Sequence, residues 1–119
     1  MKKVLLLLIA SLAAVSFCVT IDESIARGAK FLVASQSSEG FWSDKQMPAL
    51  TALPVWALTN VPEDRVSGVT NAIKKGVMYV LSTQRSDGGF YVPKPGRGGS
   101  GLGNYNTSVC LSALFESKI

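Results

Sequence analysis

Residues 28–42 read GAKFLVASQSSEGFW, and residues 76–90 read GVMYVLSTQRSDGGF. The two stretches are one pattern written twice. Gly28 falls on Gly76, Ala29 on Val77, Phe31 on Tyr79, and Leu32 on Val80. Gln36 falls on Gln84, Ser38 on Ser86, Glu39 on Asp87, Gly40 on Gly88, and Trp42 on Phe90. Upstream the match continues, with Ile21 over Val69 and Ile25 over Ile73. Self-similarity over such a length is the mark of a repeated supersecondary unit, whose apolar face is buried by stacking on its neighbour.

Beyond the motif the spacing lengthens, and Thr51, Leu53, Ala57 and Leu58 align with Thr107, Val109, Ala113 and Leu114. The extra residues of the second copy fall within 91–104, a stretch rich in Gly and Pro. Each copy therefore reads as helix, loop, helix, over about residues 21–59 and 69–117. The first helix of each is amphipathic. Ile21, Ile25, Ala29 and Leu32 follow helical spacing, as do Val69, Ile73, Val77 and Val80. Thr20 and Glu23 have the spacing of a capping box. Gly28 and Gly76 stand inside these helices, where Gly costs ~1 kcal/mol relative to Ala. Their recurrence predicts that each admits a close backbone neighbour. Both first helices are expected to stop near Gln36 and Gln84, ahead of Gly40 and Gly88.

The second helices, over residues 49–58 and 107–115, carry few charges and are expected to form the buried layer. Asn106 or Thr107 is the expected cap of the later one. Pro54 is tolerated in a first turn and kinks an interior. Residues 60–68 hold Pro62, Glu63, Asp64 and Arg65 and read as a solvated connection.

Ahead of the repeats stands a leader. Lys2 and Lys3 form a basic head, and residues 4–15 are an almost unbroken apolar run. Ala14 and Ser16 are the small residues a signal peptidase reads, so residues 1–16 are expected to be a secretory signal peptide. Cleavage after Cys18 or Thr20 stays open. Cys18 also offers a lipid-anchor alternative, with Phe17 in place of the usual small residue before it. The run falls short of the ~20 residues of a membrane-spanning helix. Without Lys2 and Lys3, ten basic residues face eight acidic ones. This scattered net charge of +2 excludes a nucleic-acid footprint. Cys18 and Cys110 are the only cysteines, too few for a disulfide framework.

The motif Gly28, Phe31-Leu32, Gln36, Gly40 and Trp42 resembles the QW repeat of squalene–hopene and oxidosqualene cyclases. The second copy, with Gly76, Tyr79-Val80, Gln84, Gly88 and Phe90, is similar to the looser repeat shared with prenyltransferase β-subunits. The resemblance covers about residues 21–117 and implies an all-α fold, an α/α toroid of outer and inner helices. It also implies that Gln36, Trp42, Gln84 and Phe90 tie each loop to neighbouring helix ends. Toroids of that family close a ring with more hairpins than the two present here, and repeat architectures need about three or more units for stability. The expected partners are thus the remaining repeats of a longer toroid, or another subunit.

The chemistry of the family does not carry over. Its cyclases protonate substrate with a D-x-D-D run, and its class I terpene relatives hold magnesium with D-D-x-x-D; neither run occurs. The adjacent acids Asp22-Glu23 and Glu63-Asp64 read as capping or solvated groups. Protein prenyltransferases bind zinc through Asp, Cys and His, and this chain has no His. Cys110 reads as a small buried hydrophobe. Ala113 stands where a thioester-forming Cys would need Gln. Gly96, Gly98 and Gly101 spell G-x-G-x-x-G, but without the strand a dinucleotide site requires. They read as a flexible insertion, with Lys94 and Arg97 as anion contacts. Asn106-Thr107-Ser108 has the form of a glycosylation acceptor, at an expected helix start.

The resulting expectation is an exported, periplasmic or secreted, non-catalytic scaffold or binding module. It has no catalytic, cofactor-binding or metal residues. It touches a membrane only through export or an anchor at Cys18. The alternative is an N-terminal fragment of a squalene–hopene-like terpene cyclase whose catalytic acids lie outside the chain.

Overall fold

The computed structural model describes residues 19–93 and 102–119. The leader, the Cys18 anchor, and the Gly-rich run with Lys94, Gly96, Arg97, Gly98 and Gly101 lie outside these residues. Four helices follow one another: α1 (Ile21–Ser35), α2 (Ala49–Leu58), α3 (Val69–Ser82) and α4 (Gly103–Ser117). An isolated antiparallel bridge between Gln84 and Phe90 is the sole extended pairing among the described residues. The fold is all-α.

Three of the four helices start for a local reason, and α2 takes its cap from a distant residue. Thr20 Oγ1 accepts the Glu23 N–H at 3.1 Å, and the Glu23 carboxylate accepts the Thr20 N–H at 2.9 Å. This reciprocal capping box satisfies two orphan donors, and Asp22 and Glu23 complement the positive end of the helix dipole. At α3 the Glu63 carboxylate reaches forward to accept the Gly68 and Thr70 N–H groups. α2 follows Pro48 and carries Pro54 in its interior, where one ladder N–H is missing. α4 starts at Gly103, earlier than Asn106 or Thr107, because Leu102 adopts the left-handed conformation that turns the chain into the helix.

α2 is the centre of the assembly. It packs most extensively on α4 and next on α3, while α1 touches α2 and α3 more lightly. Ala52, Val55 and Leu58 of α2 meet Val69, Ala72, Val77 and Val80 of α3 and Cys110 and Ala113 of α4, with Trp42 and Phe90 inserted from the loops. Burying a Val, Leu or aromatic side chain contributes roughly 1.5–3 kcal/mol, so this shared cluster joins the two repeats into one core.

Three expectations need correction. The connection over 60–68 is not wholly solvated, because Val61 and Val66 turn inward and are buried. The second helices are not buried all round, since Leu53 and Trp56 of α2 and Leu111 and Phe115 of α4 remain exposed on faces with no neighbour among the described residues. The apolar stripe of α1 is only half used. Val69 at the start of α3 is 2% exposed, whereas Ile21 at the same place in α1 is 80% exposed. The two stripes have the same spacing; among the described residues only α3 has a preceding repeat to lie against.

Candidate functional site at the junction between the repeats

The two motif loops share one backbone path. Ser37 N–H donates to the Phe41 carbonyl at 2.9 Å, and Arg85 N–H to the Gly89 carbonyl at 2.8 Å. Gly40 N–H closes on the Ser37 carbonyl at 3.0 Å, and Gly88 N–H on the Arg85 carbonyl at 2.9 Å. Gly40 has φ +95° and Gly88 φ +88°, a region that L side chains rarely adopt. The loops are then pinned to the helices that follow. Trp42 N–H donates to Thr51 Oγ1 at 3.2 Å, and Phe90 N–H to Thr107 Oγ1 at 3.0 Å. Trp42 and Phe90 are both buried.

The loops differ in what their side chains reach. Gln36 Nε2 donates to the Gly40 carbonyl at 2.9 Å, closing its own loop, and to the Ala72 carbonyl at 2.9 Å, in the second repeat. Gln84 Nε2 is exposed and, among the described residues, reaches only the Gly88 carbonyl, at 3.4 Å. Trp42 Nε1 donates to the Leu32 carbonyl in the last turn of α1 at 2.8 Å. The indole, rather than the Gln amide, thus serves the helix-end carbonyl expected to need a partner. Phe90 has no such donor. In the second repeat Thr83 Oγ1 takes over, donating to the Val80 carbonyl at 2.7 Å.

The junction is close-packed around Gly76. A Cβ there would lie 2.5 Å from Val55 Cγ2 and 3.0 Å from Trp42 Cζ3. A Cβ on Gly40 would lie 2.5 Å from the Lys75 carbonyl oxygen. Gly76 therefore admits the close approach expected of it, and Gly40 adds one that was not expected. Gly28 does not show it: nothing among the described residues lies within 4 Å of a Cβ built there, and the same holds for Gly88. Around the junction Phe41 packs on Tyr79 with ring centroids 5.4 Å apart, and Tyr79 OH donates to the Lys45 carbonyl. Burial pushes the Tyr79 phenol above its ordinary value, and the charges of Glu39 and Asp44 add to the shift.

The chemistry-bearing side chains outside the junction serve structure. Glu63 is held below its ordinary pKa by the Thr70 and Gly68 N–H groups it accepts. Asp22 pairs with Arg65 at 3.2 Å on the surface. Asp87 accepts the Tyr91 hydroxyl at 2.6 Å and the Gly89 N–H at 2.9 Å, which lower its pKa. The same hydroxyl bond raises the pKa of Tyr91. These two residues border a polar hollow of roughly 670 Å³ against Asn104 and Ser108 of α4. Cys110 is fully buried, and desolvation pushes its thiol up to about 12, so it stands protonated at neutral pH and is a poor nucleophile. Among the described residues no three His, Cys, Asp or Glu side chains are grouped to hold a metal ion.

Two roles escaped the sequence. Asn106 is buried, and its Oδ1 accepts the Ala49 N–H at 3.1 Å. It caps the first inner helix from within the second, not its own helix as expected. Within α4 and out of solvent, its side chain is not open to glycosylation. The hydroxyls of Thr51 and Thr107 pin the two loops, and their coincidence in the alignment was the one available signal for that. Compared with protein-family models, with curated proteins and with solved structures, the chain has no match in any of the three.

Proposed function

We propose that this chain is a non-catalytic, exported scaffold built of two repeats of the prenyltransferase and squalene-cyclase type, and that its two helix pairs form an arc of an α/α toroid. The observation that carries the reading is where the motif goes. Gln36, Gly40, Trp42 and Gly76 all meet at the junction: Gln36 bonds Ala72, Gly40 lies on Lys75 and Trp42 packs on Gly76, while the remaining bonds of Gln36 and Trp42 close the first repeat's own loop. Support also comes from the acids. Glu23 and Glu63 cap helices, Asp22 pairs with Arg65, and Asp87 braces a turn. None of these converges with a second carboxylate on a cavity where a carbocation or a diphosphate would sit.

The test is turnover. The purified chain, incubated with squalene, or with a prenyl diphosphate and an acceptor peptide, is expected to give no product above a buffer control. Product formation abolished by Asp22→Asn or Asp64→Asn would overturn the scaffold reading and make those acids catalytic.

A further inference from the structure

We infer that the chain associates head to tail with further copies of itself, the Gln84–Phe90 end of one copy seating on the Gly28 face of the next. The internal junction is the template. There the first repeat presents Gln36, Gly40, Trp42 and Val55, and the second receives them at Ala72, Lys75 and Gly76. Each presenting residue has a counterpart at the far end of the second repeat: Gln84, Gly88, Phe90 and Leu111. Each receiving residue has a counterpart on α1: Ser24, Arg27 and Gly28. One chain thus carries both halves of the interface it already makes once; among the described residues Gln84, Gly88 and Leu111 at one end and Ser24, Arg27 and Gly28 at the other are exposed, and only Phe90 is already buried in its own repeat.

Exposure follows this division. Val55 is 1% exposed inside the junction, and Leu111, at the same repeat position, is 54% exposed. Gly76 has no room for a Cβ, whereas Gly28 opens on a groove of roughly 420 Å³ between α1 and the end of α2, lined by Ile25, Leu32, Ala57 and Leu58. Phe31, beside it, is 70% exposed. In the second repeat the equivalent space is filled by Trp42 and Val55; in the first, Leu111 of another copy has the matching position and chemistry, while Phe90, already buried in its own repeat, backs the loop that carries Gln84 and Gly88. Gln84 Nε2, free of any cross-repeat bond, then faces the Ser24 carbonyl, and Gly88 lies over the Arg27 backbone.

The contact between copies is weaker than the internal one. Gly89 stands in the place of Phe41, so the ring pair with Tyr79 has no equivalent, and Phe31 lacks the Tyr79 hydroxyl. Association is therefore expected to depend on concentration. Because the two surfaces differ, the interface is heterologous and propagates into a ring or a filament rather than stopping at a two-fold dimer.

The partner named here deepens the scaffold reading and rests on it for purpose, not for geometry. A chain that never associates removes the head-to-tail contact and leaves the scaffold standing, whereas turnover removes the scaffold alone. Sedimentation velocity on the purified chain decides. The wild-type mass is expected to rise with concentration. Gly28→Leu blocks the receiving end and Leu111→Glu the presenting end. Both sites are open in the single chain, so circular dichroism is expected to show native helix content for each. Each variant alone is expected to stay monomeric, and an equal mixture to form a one-to-one dimer and nothing larger. A wild-type chain that stays monomeric at its solubility limit would overturn the proposal. So would either variant assembling as wild type does, or a mixture that stays monomeric. A further repeat or residues 1–18 covering the Gly28 groove would give the first of these results.

Discussion

Gln36 and Gln84 occupy the same place in two copies of one motif, yet only Gln36 is half-buried and bonded across the junction. The difference predicts unequal costs. A net hydrogen bond contributes about 0.5–1.5 kcal/mol, and more when its loss strands a buried partner. Gln36→Ala is expected to destabilise the chain by about 1–3 kcal/mol. Gln84→Ala is expected to change stability by no more than about 0.5 kcal/mol, as for surface substitutions generally. Denaturant melts in dilute solution, where copies do not meet, would measure both; equal losses would show that the cross-repeat bond to Ala72 contributes nothing. The identity of the two glutamines was legible in the sequence. Their inequality was not, because it depends on whether α3 or open solvent faces the amide. Trp42 shows the same limit. Its aromatic bulk marked it for burial, but the indole N–H bond to Leu32 needed the loop to fold back over the end of α1.

At the scale of the helix, local signals served well where the cause is local. The Thr20–Glu23 capping box, the span of α2, and the stop of α1 and α3 beside the glutamines all follow from residues close in sequence. The start of α4 does not, because it is set by the left-handed turn at Leu102 rather than by a capping side chain. Freed from its own helix start, Asn106 caps α2 instead, and this predicts how the two inner helices are held together. Asn106→Ala leaves the buried Ala49 N–H without a partner, which costs about 1–3 kcal/mol. The melting temperature is expected to fall, with the helical signal retained below the transition. An unchanged melt would show that α2 and α4 hold together by apolar contact alone. Substituting Asn104, on the exposed side of the same helix, is the matching control.

For the molecule as a whole, the basic head and apolar run predict that the exported chain begins between Phe17 and Ile21. Intact-mass measurement on the secreted or periplasmic protein checks this, and an unprocessed Met1 in the cytoplasm would refute it. The helical arrangement and its duplication were determined by the sequence alone. Helical periodicity and turn glycines act over a few residues, and the repeat wrote both of them twice; the capping box, equally local, stands only at α1. What only the tertiary structure decided is which copy of each feature is used. Gly76 is filled and Gly28 is open; Val55 is buried and Leu111 is bare; Gln36 is bonded across the junction and Gln84 is not. Burial and cross-helix hydrogen bonds belong to a residue's neighbours in space, and two copies of one motif acquire different neighbours as soon as one repeat stacks on the other.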